Sequence, residues 1–317
     1  MKGLTDITGL RVGHASNYDA LTGCTVVLCD AGAVGGVDIR GSATGTQEID
    51  TLSPGHVDPQ VHAIVLAGGS AFGLEAAAGV RRYLEGLGVG VKAGSFIVPI
   101  VPAAILFDLG IGKGHVRPTR EMGEAAAAAA TTDAVKEGAV GAGTGATVGK
   151  LFGMRRAMKS GVGSATVSLE SGVSVASLVV VNALGDVKDP ATGKLIAGAR
   201  RAPDSMELAD TEREMLHGAR GNFIRQNTTL AVVATNARLT KVGATKLAQQ
   251  AALGMARTIF PVNTMFDGDI VFALSTGTAE ADINTLGSMA AEAVAQAVVR
   301  AVRSAPTLGG VPGLAKK

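Results

Sequence analysis

Apolar positions along this chain fall into short, dense runs separated by glycine-rich polar stretches. Residues 25–28, 61–67, 161–169, 173–181, 231–234 and 270–274 are runs rich in Val, Ile, Leu, Ala and Phe. Runs of this length and composition read as buried strands. Helices are predicted between them over 74–87, from Pro118 and Thr119 through the alanines at 125–130, around 205–217, from Thr240 to about 258, and up to about 302. Alanine is the strongest helix former, which makes the second of these the clearest. Thr240 is placed to cap its helix and Pro261 to end it, and Asn284 is placed to cap the last one. Pro99 and Pro102 argue against a central strand over 95–109.

The intervening stretches carry most of the polar residues. Residues 4–13 read as an extended entry segment, and 35–54 as a polar loop holding Asp38, Arg40, Glu48 and Asp50. A loop of that length in a compact domain is more often functional than idle. Gly68-Gly69-Ser70-Ala71-Phe72-Gly73 turns a strand into a helix, and such a turn offers free N–H groups to an anion or oxyanion. Residues 186–226 read as a surface connector and 304–317 as a loose tail.

Composition narrows the picture. Hydrophobic residues make up 47% of the 317, enough for a large core, while aromatic residues are 3% and glycines number 44. Small residues at this density imply helices packed closely on sheets. A formal charge of +2 with no basic run argues against nucleic acid as partner. No apolar stretch is long enough to span a membrane, and no signal-peptide layout opens the chain. Cys24 and Cys29 read as two packed thiols, and no Cys/His cluster has metal spacing. A cytoplasmic location is the expectation, which removes glycosylation as the use of Asn227-Thr228-Thr229.

Candidate chemistry centres on Thr228, at the mouth of the run 231–234. Its β-branched side chain holds the hydroxyl in few directions. Cleavage of the Asn227–Thr228 bond would give Thr228 a free α-amine, a base with a pKa of about 7.7–8.0, beside its own hydroxyl. Read alone, the same Thr pair fits the start of an ordinary strand. Asp267 and Asp269 are two residues apart, so an extended backbone turns both carboxylates to one side; a pair of that kind can hold an ammonium and keep a proton in play. A glycine-centred acidic turn is the plain alternative. Residues 141–150 offer Lys150 after a glycine-rich loop. They fail as a phosphate-binding loop because Leu151 follows the lysine, and they lack the acid a dinucleotide loop needs. Asn182, at the end of the run 173–181, can turn the chain or donate to an oxyanion.

Six motifs in order carry a resemblance that covers residues 4–302: Gly9-Leu10-Arg11-Val12-Gly13-His14, Asp38-Ile39-Arg40-Gly41, Ala67-Gly68-Gly69-Ser70-Ala71-Phe72-Gly73-Leu74, Val101-Pro102-Ala103-Ala104-Ile105-Leu106-Phe107-Asp108, Asn227-Thr228-Thr229 and Asp267-Gly268-Asp269. The chain resembles the L-aminopeptidase/D-esterase family of self-processing peptidases, which includes β-aminopeptidases and nylon-oligomer endohydrolases. That resemblance implies an α/β fold, a four-layer αββα sandwich similar to the N-terminal-nucleophile hydrolases but connected differently. It implies one hydrolase domain over 1–317, cut into an α chain of residues 1–227 and a β chain of 228–317. Thr228 takes the nucleophile role, Asp267 and Asp269 the carboxylate pair, Lys150 the charged partner and Asn182 the oxyanion or positioning amide. The implied activity is amide hydrolysis through an acyl-enzyme, with no metal or organic cofactor, a small peptide or other linear amide as substrate, and a homotetramer of αβ units. Many members carry Ser where this chain carries Thr228, so the substrate stays open. Acyl transfer to an amine, nucleotide binding by residues 141–150 and an uncut inactive homologue are the rival readings.

Overall fold

The computed structural model describes residues 2–57, 60–221 and 227–316. Its main sheet runs, in spatial order, Val162–Ser168, Ser174–Asn182, Thr228–Ala237, Ile270–Ala279, Thr22–Ile39, Gln60–Ala67, Ala103–Ile105 and Thr46–Gln47, with Arg11–Asn17 also paired to Thr22–Ile39. The Thr228 and Ile270 strands pair in parallel, as do Gln60–Ala67 and Ala103–Ile105. A parallel pair needs a crossover, and helix Lys241–Ala256 supplies it between the first two. Side chains alternate between two apolar layers. Leu230, Val232 and Ala234 point one way, with Ile270, Phe272, Leu274, Ile64 and Leu66. Ala231, Val233, Val271 and Ala273 point the other way, onto helices Lys241–Ala256 and Ile283–Arg303. A third layer joins Val26, Ala63 and Val65 to Val80 and Leu84 of helix Ala76–Gly86 and to Ala126 and Ala127 of helix Arg120–Ala128. Three apolar layers mean four layers of structure, the αββα sandwich expected. Both faces of each leaf are covered, so a slip of one residue in the Thr228 strand would move Leu230 and Val232 out of their layer. Each such fully buried side chain contributes about 1.5–3 kcal/mol, which fixes the register.

Several local expectations are corrected. Residues 35–39 are not loop: the long strand Thr22–Ile39 continues through them and joins the two leaves, pairing with Gln60–Ala67 early and with the Ile270 strand late. A Cβ on Gly36 would lie 2.3 Å from the Thr245 nitrogen, so glycine here lets helix and strand backbones approach. Residues 70–75 form a 3-10 helix before the α-helix begins at Ala76. Asp282, not Asn284, caps the last helix, its Oδ2 accepting from the Thr285 N–H at 2.9 Å; the helix starts at Ile283. The tail is docked: Leu308 and Val311 exchange backbone bonds of 3.1 Å, and the Pro312 carbonyl accepts from Lys159 N–H at 2.7 Å. Within 186–221, Asp186–Lys188 and Leu195–Ala197 build a small sheet with Ile259–Phe260, around the fully buried Asp186; residues 222–226 of that connector lie outside the described residues. Cys24 and Cys29 are separate buried thiols. No helix among the described residues is long and apolar enough to cross a membrane.

Candidate active site

Three strand ends meet at one edge of the sandwich. Asn182 ends its strand directly across the antiparallel ladder from Thr228. The Ile270 strand runs parallel to the Thr228 strand, and a bridge between Asn227 and Asp267 extends that pairing upstream. Strand topology therefore brings together residues 182, 228 and 267–269. Thr228 is 2% exposed. Its Oγ1 donates to the carbonyl oxygen of Asn227 at 2.5 Å, and the Gly268 N–H donates to the same oxygen at 2.9 Å. A Cβ on Gly268 would stand 2.9 Å from Thr228 Oγ1 and 2.6 Å from the Ala43 carbonyl. Only glycine lets this N–H come so close.

The two carboxylates are buried and held largely by main chain. Asp267 Oδ1 accepts from the Leu184 N–H, and its Oδ2 from the N–H and hydroxyl of Thr264. Asp269 Oδ1 accepts from the Thr229 N–H at 2.6 Å and Oδ2 from the Asn263 N–H at 2.9 Å. The Asp38–Gly41 motif holds this segment from the other side: the N–H groups of Arg40 and Gly41 donate to the Asp269 carbonyl, and that of Ala43 to the Asp267 carbonyl. Burial raises the pKa of Asp267, and burial with the neighbouring Asp267 charge pushes Asp269 up to about 7. The Thr228 hydroxyl donates to the Asn227 carbonyl and not to either carboxylate.

Lys150 completes the group. Its Nζ donates to both the backbone carbonyl and Oδ1 of Asn182, each at 2.8 Å. The Thr147 N–H donates to the same Oδ1 at 3.1 Å, and Asn182 Nδ2 donates to the Phe107 carbonyl at 3.0 Å. With donors on one side and an acceptor on the other, the Asn182 amide has one orientation. Burial lowers the Lys150 ammonium to about 7, opposed by the charge of Asp267. Lys150, Asp267 and Asp269 are thus three buried titratable groups whose charges act on one another. The loop before Lys150 passes through the 3-10 turn Gly141–Gly143 into the two-residue strand Thr147–Val148. Among the described residues no α-helix opens at the end of the loop, where only the 3-10 turn Met154–Arg156 follows, and a Cβ on Gly145 would already lie 2.6 Å from Asp108 Cβ. This packing speaks against the nucleotide reading. A narrow cavity beside Lys150 is lined by Phe107, Asp108, Gly145, Thr147 and Met154. A wider cavity of about 170 Å³, beside His14 and Lys136, shares no lining residue with it.

All six residues singled out in the sequence lie at or beside this edge. The sequence assigned no role to Thr264, Asn263, Leu184, Thr147, Phe107 or Gly268, although the last two stand in the quoted motifs and Thr147 in the loop 141–150. Five of them act through main-chain groups, which side-chain type does not announce. Thr264 alone carried a readable signal: a hydroxyl residue three positions before a buried acid.

The four-layer α/β sandwich is shared with a solved L-aminopeptidase D-Ala-esterase/amidase from Ochrobactrum anthropi, described as a variant of the Ntn hydrolase fold. The TM-score is 0.74 over 98% of this chain and 88% of that one, at 18% identity, so this likeness concerns the fold. The model of peptidase family S58 matches residues 2–315, and the chain belongs to that family. An uncharacterized aminopeptidase of Mycobacterium tuberculosis is 42% identical, covering 98% of this chain and 96% of the relative. A 6-aminohexanoate-oligomer endohydrolase of Kocuria is 32% identical over 94% of this chain and 85% of the relative. The protein is thus a peptidase of the aminopeptidase-containing family S58.

Proposed function

We propose that the chain cuts itself between Asn227 and Thr228 and then hydrolyses amides with Thr228 as its N-terminal nucleophile. One observation carries the reading: the Thr228 hydroxyl and the Gly268 N–H both lie against the carbonyl of the bond to be cut, at 2.5 and 2.9 Å. In the first step Oγ1 attacks that carbonyl carbon and the Gly268 N–H holds the developing oxyanion. The hydroxyl proton passes to the set formed by Asp267, Asp269 and Lys150. The C–N bond breaks as the Thr228 nitrogen takes up a proton, leaving an ester between Asn227 and Oγ1. Water opens the ester, and Thr228 keeps a free α-amine. In the mature enzyme this amine is the base. Oγ1 attacks the substrate carbonyl, the amine takes the proton and returns it to the leaving amine, and water releases the acid from the acyl-enzyme. Asp267 and Asp269 face the new ammonium, and Asn182 and Lys150 orient the groups around it. Relatives named as an aminopeptidase and as an oligomer endohydrolase support small peptides or other linear amides as substrate. Assays on amino-acid anilides and on a linear ω-amino-acid oligomer, with and without an added amine acceptor, test the activity. Acid product in both conditions is expected, whereas amide product with the acceptor would point to acyl transfer.

The pH dependence of cleavage follows from the site. Asp269 and Lys150 both titrate at about 7, and each is a base only above that value. Uncut chain translated in vitro at pH 5.5 should persist, then cut after a shift to pH 8. Below pH 7 the rate should fall about tenfold per unit, as for a single required base. A flat profile would show that none of these groups accepts the proton.

Lys150→Ala is expected to lower cleavage and turnover by about 10²-fold or more, while the cost in stability stays at about 1 kcal/mol. Full activity in the variant would reduce Lys150 to a hydrogen-bond donor for Asn182.

A further inference from the structure

Lys159 has no part in the chemistry above, yet it is among the largest fully buried side chains of the described residues, at 0% exposure. Its Nζ donates to three backbone carbonyls: Gly143 at 3.2 Å, Ala146 at 2.7 Å and Ser160 at 2.9 Å. Three acceptors match the three hydrogens of an ammonium; a neutral amine would turn a lone pair toward one of those oxygens. No carboxylate among the described residues pairs with it directly; burial lowers its ammonium to about 7, and Asp108 opposes that through space. A cation buried in this way is costly, and an apolar side chain of similar volume would satisfy packing alone.

The three carbonyls show what the cation holds. Gly143 and Ala146 belong to the loop that ends at Lys150. Ala146 precedes Thr147, whose N–H donates to Asn182 Oδ1, and Thr147 is also the ladder partner of Lys159 itself. The Lys159 backbone is tied in turn to Pro312. One residue therefore fixes the loop through its side chain and through its backbone, a single step before the loop reaches Asn182. Asn182 stands across from Thr228. The Lys159 charge also bears on Lys150, which is faced by Asp267, Asp269 and Asp108 as well.

We propose that Lys159 is a positioning residue: its ammonium fixes the loop that delivers the Thr147 N–H and Lys150 to Asn182. Its consequence for chain cleavage rests on the proton-carrying role proposed for Lys150. Two variants test the claim. Lys159→Met removes donors and charge together, whereas Lys159→Gln removes the charge and keeps two N–H donors on a shorter side chain.

The experiment has two readouts. Amide hydrogen exchange across residues 142–147 needs no activity: in Lys159→Met it should quicken about tenfold relative to the rest of the chain, and in Lys159→Gln by less. The pH profile of chain cleavage supplies the second. Loss of the Lys159 cation raises the proton affinity of Lys150, so the midpoint should move up by about half a unit in both variants. Gln should recover part of the rate lost in Met without restoring the midpoint. Unchanged exchange in Lys159→Met, midpoints equal to wild type in both variants, or failure of both to fold would overturn the proposal and leave a purely structural lysine. Wild type that stays uncut would refute the function proposed above; the exchange readout would still decide the positioning claim.

Discussion

Thr228→Ala is expected to stay one uncut chain and to lose amide hydrolysis by about 10⁴-fold or more, the scale seen when a nucleophile is removed from a concerted site. Thr228 lies at the first position of its strand, 2% exposed, with Asn182 across the ladder and Asp269 bonded to the N–H of the next residue. These backbone contacts do not depend on the hydroxyl. Removing it should therefore leave the fold in place, at a cost of about 1 kcal/mol. Thr228→Ser keeps the hydroxyl but frees its χ1, so cleavage should slow and still go to completion. Cleavage of the Ala variant at the same bond would show that the hydroxyl does not attack it.

Asp267→Asn and Asp269→Asn carry the second large effect, a loss of about 10²–10⁴-fold in hydrolysis. Both oxygens of Asp269 accept from main-chain N–H groups, of Thr229 and Asn263. An amide must turn its NH₂ toward one of those donors and cannot carry a proton for the site. Stability should respond with a definite sign. Burial and the Asp267 charge raise Asp269 from 3.8 to about 7 in the folded chain, so the folded state binds its proton more tightly than the unfolded one. That contribution is present below about pH 4 and is lost as pH rises through about 7. Asn has no such loss. The unfolding temperature of Asp269→Asn, measured against wild type, should therefore be more favourable at pH 8 than at pH 5. Equal differences at the two pH values, or unchanged turnover in both Asn variants, would remove the pair from the mechanism.

Much of this site was legible because its chemistry sits on side chains at the ends of apolar runs. Thr228, Asn182 and the Asp267–Asp269 pair each flank a strand that period and composition announce, and strand pairing then brings those ends together. The parts that escaped notice are of another kind. The Gly268 N–H matters because two backbones pass close to one another, and a glycine between two acids reads equally well as a turn. Lys159 follows a Met in a stretch with no periodic signal, so nothing local marks it as buried; only the inward carbonyls of Gly143 and Ala146 do. Residues 35–39 looked like loop because glycine is a poor strand former, yet the approach of helix Lys241–Ala256 to Gly36 is the reason for glycine there. The docked tail was missed for a similar reason, since its anchor is a Pro312 carbonyl.

The central claim is that Thr228 becomes an N-terminus. Intact mass of the purified, active protein, with N-terminal sequencing of each species, tests it directly. The account predicts two chains that purify together, residues 1–227 and a second beginning Thr228-Thr229-Leu230. A fully active enzyme that remains one continuous chain would contradict both the cleavage and the mechanism built on it.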